Sequence, residues 1–149
     1  MPANEANPAT MDPREFARLV KKAPANELRQ LMQGERRSAI LDELVSRMPS
    51  VFRADRAGSL DAVVHWRIGD RPDGGTDVYE MVIANGSCVL SDRAEREPRL
   101  TLTLGAVDFL NLVTGNRHAV VLVMQGRLKT KGDLALAARF PNLFDVPKP

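Results

Sequence analysis

The sequence predicts one α/β domain with a large apolar interior, and three observations lead to that class. Apolar residues recur at helical spacing through the first third of the chain, and from Leu60 the apolar period falls to two, as in half-buried strands. The stretch from Arg99 to Asp133 combines a strand, an apolar helical connection and a second strand. The apolar surfaces of these three elements must be buried together. A chain of 149 residues is long enough to bury a sizeable core, or a core that contains a pocket.

Composition narrows the kinds of protein this chain can be. Hydrophobic residues make up 44% and charged residues 27%, and no apolar run approaches the ~18 residues of a membrane span. The 21 Lys and Arg residues against 19 Asp and Glu leave a net charge of +2, which predicts no strong attraction to polyanions. The single cysteine, Cys88, rules out an intramolecular disulfide. Because the segment MPANEANPATMD lacks the features of a secretory signal, we expect a cytoplasmic protein.

The first third of the chain predicts a tail and three helices. Residues 1–11 offer almost nothing apolar to bury, so we expect a disordered tail. Asp12 is a suitable N-cap, with Pro13 at the first helical position and Glu15 placed as in a capping box. A second short helix is expected from Pro24 to Gln33, and a third over residues 35–48, where apolar residues recur at helical spacing before Pro49.

The middle of the chain predicts an antiparallel meander. Ala62, Val64, Trp66 and Ile68 alternate with more polar residues, which is typical of a strand with one buried face. The chain returns over residues 77–84, and Asn85-Gly86 is a strong two-residue hairpin signal because both central positions need positive φ. A third strand is therefore expected over residues 87–92.

The last third alternates between strand and helix. Residues 99–104 predict a strand with one apolar face, and residues 106–114 a helix. Residues 119–124 stay open between strand and helix, because β-branched side chains favour a strand while the length permits a buried helical turn. A strand carrying Lys129 and Lys131 and a short helix over residues 134–139 follow. The apolar residues of the final segment, Phe140, Leu143 and Phe144, are expected to pack against the domain.

Two segments resemble the sterol carrier protein 2 family: DFLNLVTG at residues 108–115 and MQGRLKTKGDLALA at residues 124–137. The likeness covers about residues 36–140 in element order and is specific in residues from Arg99 onward. It implies a single, mostly antiparallel sheet of about five strands, with helices covering one face and an apolar tunnel between sheet and helices. Residues 12–34 would then be extra N-terminal helices, and residues 35–149 the lipid-binding domain.

The resemblance also suggests which residues would contact a lipid. They are the apolar side chains of the last two strands and of the helices around them, with Gln125 as a polar contact for a headgroup. The set is Leu102, Leu104, Phe109, Leu112, Val113, Val121, Met124, Gln125, Leu134 and Phe144. The alternative for the apolar members is ordinary core, because a filled and a hollow interior need the same apolar faces.

The sequence gives no support for catalysis. His65 and His118 lack acidic or nucleophilic neighbours in a known catalytic pattern, and we expect both to be solvated. Cys88 is expected to be an inert buried thiol. Dinucleotide-binding, phosphate-loop and metal-ligand spacings are absent, so no catalytic residue, metal or cofactor is predicted.

Arg127, Lys129 and Lys131 form a basic strand face. They could make transient contact with an anionic membrane, or they could simply be solvated. With only 5% aromatic residues to stack on bases, nucleic acid is not an expected partner.

We expect non-enzymatic binding, and transfer, of a sterol, fatty acid or fatty acyl-CoA. One alternative is a protein-interaction module that uses the N-terminal helices and the sheet, although no protein partner is indicated. The other is a small enzyme that acts on acyl thioesters.

Overall fold

The computed structural model describes residues 3–149. Seven helices and five strands are present in this part of the chain, with three short 3₁₀ turns. The helices are α1 Pro13–Lys22, α2 Ala25–Met32, α3 Arg37–Arg47, α4 Ala54–Ala57, α5 Ala106–Val113, α6 Ala119–Met124 and α7 Leu134–Arg139. The strands are β1 Ala62–Ile68, β2 Asp77–Ala84, β3 Ser87–Leu90, β4 Leu100–Leu104 and β5 Lys129–Gly132. The 3₁₀ turns are Ala3–Glu5, Met48–Val51 and Phe140–Leu143.

The strands form one mixed sheet in the order β3-β2-β1-β4-β5. Three of its four pairings are antiparallel, and β1 pairs with β4 in parallel. On β1 the expected alternation holds, since Ala62, Val64, Trp66 and Ile68 are all buried beneath the helices. The prediction of a single, mostly antiparallel five-stranded α+β sheet with helices on one face is confirmed.

Local sequence signals placed most element boundaries correctly. The Asp12 carboxylate accepts hydrogen bonds from the backbone N–H groups of Arg14 (3.1 Å) and Glu15 (3.3 Å), which begins α1 as expected. Asn85 and Gly86 have φ values of 54° and 75°, as the predicted two-residue hairpin between β2 and β3 requires. Helix α4 is an element that the sequence pattern does not indicate.

Residues 119–124, which the sequence left open, form helix α6. The edge of β4 that faces away from β1 is occupied by β5, so this run does not pair with β4. As a helix it satisfies its own backbone groups, with Leu122 N–H donating to His118 C=O at 3.2 Å. These local bonds and the burial of Leu122 outweigh the β-propensity of its valines.

The N-terminal segment differs from the expected disordered tail. Residues 3–5 form a 3₁₀ turn, and Ala3 and Ala6 are buried in the main apolar cluster. Small side chains fit where larger ones would not, so a segment poor in large apolar residues can still pack closely. Met1 and Pro2 lie outside the described residues.

The final segment packs on the domain, as its apolar residues predict. Phe140, Leu143 and Phe144 are buried. Phe144 forms an isolated antiparallel bridge with Phe52, next to hydrogen bonds from Arg53 N–H to Leu143 C=O (2.7 Å) and from Asp145 N–H to Val51 C=O (2.8 Å). The segment is thereby fastened to the chain that follows α3.

Arg37 joins the helical layer to the end of β1. Its buried guanidinium donates to Asp77 Oδ2 at 3.1 Å and to the carbonyl oxygens of Met32, Ile68, Gly69 and Asp70 at 2.8–3.2 Å. Five acceptors surround one planar donor group, so few of its N–H groups remain without a partner.

We expect Arg37→Ala to lower the free energy of unfolding by about 3–5 kcal/mol, because it leaves buried acceptors without a donor. Urea titration followed by circular dichroism measures this change. The exposed Arg18→Ala on α1 is the matched control and should stay within about 0.5 kcal/mol of the parent. Equal stability of both variants would show that the Arg37 cluster does not hold the two layers together.

Candidate functional site

An apolar cavity of about 390 Å³ lies between the inner face of the sheet, the helices α5 to α7 and the final segment. Its walls are almost entirely apolar. The lining residues are Met48, Trp66, Leu102, Leu112, Val113, Gly115, Arg117, His118, Ala119, Val120, Val123, Met124, Leu128, Thr130, Leu134, Ala137, Ala138, Phe140, Pro141, Phe144, Val146 and Lys148.

The sheet side of the cavity is one row of side chains across three strands. Trp66 on β1 is paired with Leu102 on β4, and Leu102 is paired with Thr130 on β5. Paired residues of neighbouring strands point to the same face, so these three side chains form a continuous wall. The strand pairing alone therefore fixes the floor of the cavity.

Trp66 is the largest side chain in that row. Its ring packs edge-on against Phe109 at 5.4 Å between centroids and against Phe140 at 5.7 Å. The indole N–H is buried, and it has no hydrogen-bond acceptor among residues 3–149. A buried donor without an acceptor costs about 1–3 kcal/mol, which makes this atom unusual in a well-packed domain.

A second, smaller cavity of about 110 Å³ adjoins the first. Met48, Val113 and Val146 line both cavities and separate them. Pro13 and Phe16 of α1 border the smaller cavity, so the N-terminal helices contribute to the wall on that side.

Four large apolar side chains stand at the opening of the cavity. Val120, Val123 and Met124 on α6 and Leu134 on α7 line the cavity and are 66%, 45%, 82% and 72% exposed, respectively. We call these four residues the apolar mouth. Large apolar side chains that are exposed at the opening of a cavity mark an apolar surface that no other part of the chain covers.

The structure brings six of the ten expected contact residues to the cavity: Leu102, Leu112, Val113, Met124, Leu134 and Phe144. Leu104 and Phe109 do not line it, because both are buried in packed core, and Phe109 lies against Trp66. Val121 and Gln125 are exposed outside the lining. On α6 the helical rotation turns these two away from the opening, so the proposed headgroup contact of Gln125 is not supported by its position.

Several lining residues were missed by the sequence analysis. The alternation on β1 already indicated that Trp66 faces inward, and this signal could have identified it. Ala119, Ala137 and Ala138 are small residues on short helices, whose role depends on which side of each helix faces the opening. Arg117, His118 and Lys148 add three basic groups to the rim of an otherwise apolar cavity.

The two histidines lie in different places. His65 is on the outer face of the sheet, where its Nε2 lies 2.9 Å from Oε1 of the buried Glu80, so it is not solvated as expected. His118 is exposed at the rim of the cavity, as expected. Within residues 3–149 no group of three or more His, Cys, Asp or Glu side chains is arranged to hold a metal ion.

Glu80 is the most perturbed carboxylate of the outer face. Its oxygens accept hydrogen bonds from Arg96 N–H at 2.8 Å and from Arg96 Nη1 at 3.2 Å. Burial opposes the ionised form, but hydrogen bonds from Ser91, His65 and Arg96 outweigh it and lower the pKa of Glu80 from 4.5 to about 2. Its neighbours stabilise the charge and fix the loop that follows β3, which is a structural role.

The fold and the cavity define a class of protein: a small α+β domain with an apolar cavity between its sheet and the helices that cover it. The SCP-2 sterol transfer family matches residues 41–145, well over half of the chain. The chain belongs to this family. The matched region begins inside α3, so α1 and α2 lie outside it.

Similar proteins are found by sequence and by structure. The sterol carrier protein 2 of Homo sapiens and that of Gallus gallus are each 26% identical over 84 residues, which is 56% of this chain and 15% of those proteins. This chain therefore spans a small part of the length of the curated relatives it matches. In the part of the chain that the structure describes, no helix is long and apolar enough to cross a membrane.

Among solved structures, the sec-alkylsulfatase Pisa1 from Pseudomonas sp. has a TM-score of 0.60 at 15% identity, covering 80% of this chain and 20% of that chain. Sterol carrier protein 2 from Yarrowia lipolytica in its apo form has a TM-score of 0.53 at 23% identity, covering 71% and 88%. Sterol carrier protein 2 like 2 from Aedes aegypti has a TM-score of 0.54 at 17% identity, covering 72% and 94%. These likenesses establish the fold.

The depressed pKa of Glu80 makes stability depend on pH. The unfolded carboxyl binds a proton as the pH falls through 4.5, whereas the folded one holds its charge to about 2, so the free energy of unfolding should fall progressively over this range. We expect Glu80→Gln to flatten that part of the profile. Urea titrations from pH 7 to pH 2.5 measure it, with the exposed Glu27→Gln as control. A Glu80→Gln profile parallel to that of the parent would contradict this account.

Proposed function

We propose that the protein binds a lipid in the apolar cavity and transfers it without catalysing a reaction. The cavity of about 390 Å³ beneath the apolar mouth is the observation that carries this proposal. The ligand classes are those expected from the family resemblance: a sterol, a fatty acid or a fatty acyl-CoA. The cytoplasmic location expected from the sequence is retained as part of the proposal.

The apolar lining supports an affinity suited to a carrier. Removing about 300 Å² of apolar ligand surface from water contributes about 7–8 kcal/mol. Lost freedom of the ligand subtracts several kcal/mol from the total of transfer and packing terms, so dissociation constants from high micromolar to sub-micromolar are expected. A carrier must both accept and release its ligand, and this range permits both.

The indole N–H of Trp66 supports a ligand with an oxygen atom. This donor is buried and has no acceptor among residues 3–149, and the side chain that carries it lines the cavity. A hydroxyl, carboxylate or ester oxygen of a bound lipid would accept its hydrogen bond and remove the cost of leaving it unpaired. We therefore favour an oxygen-bearing lipid over a plain hydrocarbon.

Two observations argue against the alternative functions. His65 lies on the outer face of the sheet, because the pleat separates it from the neighbouring Trp66 on the inner face, so it does not line the cavity; of the two histidines, only His118 lies at the rim. Within residues 3–149 every large apolar side chain of α1 and α2 is buried or partly buried. Those helices contact α5 and offer little apolar surface to a protein partner.

We include in this proposal a transient contact with an anionic membrane, made through Arg127, Lys129 and Lys131. Lys129 and Lys131 flank Thr130, a lining residue, and lie on β5 at the edge of the sheet next to the cavity. Arg127 lies 3.8 Å from Asp108, a partly exposed pair that leaves it available to solvent.

Binding can be tested with Trp66, the single tryptophan of the chain. We expect a bromine-labelled fatty acid to quench its fluorescence at micromolar concentration, because the ring lines the cavity. Displacement of a fluorescent fatty acid and native mass spectrometry provide independent readouts. If no quenching, displacement or co-purified lipid is seen at tens of micromolar, the proposal fails.

A matched pair of substitutions on α7 tests the location of the ligand. Ala137 lines the cavity and Ala135 is exposed outside it. We expect Ala137→Leu to fill ligand space and weaken fatty acid binding at least about tenfold, or about 1.4 kcal/mol, with Ala135→Leu unchanged. Displacement titrations measure both, and thermal unfolding checks that the variants are folded. Equal affinities would place the ligand elsewhere.

A further inference from the structure

The apolar mouth is the part of this protein whose exposure the cavity alone does not explain. A lipid bound inside would cover the inward side of Val120, Val123, Met124 and Leu134, but Met124 and Leu134 have 82% and 72% of their surface in water. Side chains exposed to this extent leave apolar surface at the opening even when a ligand occupies the cavity.

Basic side chains lie at the rim of the cavity beside this patch. No Asp or Glu occurs between Phe109 and Gly132, whereas Arg117, Arg127, Lys129 and Lys131 lie in that span. Arg117 and Lys148 line the rim of the cavity itself. We call Arg117 and Lys148 the basic collar, because Lys129 and Lys131 alternate with the inward-facing Thr130 and therefore point to the outer face of the sheet. The net charge of the whole protein is only +2, so the collar is a local concentration of positive charge.

We propose that the apolar mouth docks on the surface of an anionic lipid bilayer, with the basic collar contacting lipid headgroups, so that the cavity opens directly onto the membrane. This inference rests on the proposed lipid-carrier function and adds the surface through which a lipid enters and leaves. Apolar side chains in the interface, ringed by Lys and Arg, are the combination that gives reversible binding to anionic membranes.

Charge complementarity distinguishes the bilayer from a second copy of the chain. A two-fold symmetric dimer that buried the apolar mouth would bring two basic collars together, and like charges at short range oppose such an interface. An anionic bilayer neutralises the same cations and accepts the same apolar side chains. It also lets a lipid move between bilayer and cavity without crossing water.

Vesicle sedimentation tests the docking of the full chain. We expect binding to phosphatidylcholine vesicles that contain phosphatidylglycerol, little binding to pure phosphatidylcholine, and loss of binding in high salt. Each collar cation contributes about a fivefold effect, so Arg117→Glu with Lys148→Glu should weaken binding at least about 20-fold. Lys21→Glu with Lys22→Glu on α1 is the matched control for the change in charge.

The contact surface can be mapped with a polarity-sensitive fluorophore on an introduced cysteine. Cys88 is buried, and burial raises the pKa of its thiol to about 11, so it reacts slowly with thiol reagents at neutral pH. We expect a label at Met124→Cys to shift to shorter wavelength on anionic vesicles. A label at Asn26→Cys, exposed on α2, should not shift.

Free fatty acid without vesicles separates this inference from the carrier function. If the protein binds fatty acid but shows equal or no affinity for the two vesicle types, the docking surface is wrong and the carrier proposal stands. The docking proposal would also be overturned by equal shifts of both labels. A dimer in sedimentation velocity whose interface shields Met124 would overturn it as well. If fatty acid fails to bind in vesicle-free buffer, the carrier function itself is wrong.

Discussion

Trp66 packs edge-on between Phe109 and Phe140, and the architecture of the site depends on this arrangement. The indole is fixed by β1 at the centre of the sheet, with α5 on one side and the final 3₁₀ turn on the other. Edge-on aromatic pairs are favourable at these separations, so the three rings hold the two helical segments at a set distance. The space beside them is lined mainly by aliphatic side chains, several of them as small as Ala119, Ala137 and Ala138.

The strands and the first helices could be predicted because their signals are local. Asp12 caps a helix through its own near neighbours, Asn85-Gly86 forms a turn by its own backbone preference, and the alternation on β1 needs only one buried face. Helix α6 could not be predicted in this way. Its conformation depends on β5 occupying the edge of β4, which is a pairing between segments about 30 residues apart.

The difference between local signals and long-range packing also explains which lining residues the sequence could indicate. Leu112 and Phe109 are both apolar residues of α5, yet only Leu112 lines the cavity, because the rotation of α5 is set by its packing between the sheet and α2. Apolar periodicity identifies the buried side of a helix but not whether that side meets another side chain or a void. Leu102 and Leu104 share the inner face of β4, yet only Leu102 lines the cavity.

Cavity formation requires segments from distant parts of the chain. Phe140, Phe144 and Val146 complete one wall, and the bridge between Phe52 and Phe144 attaches that wall to the body of the domain. All five strands end before residue 133, so this wall is supplied by residues outside the sheet. Substitutions in the final segment can therefore reshape the cavity while every strand pairing stays intact.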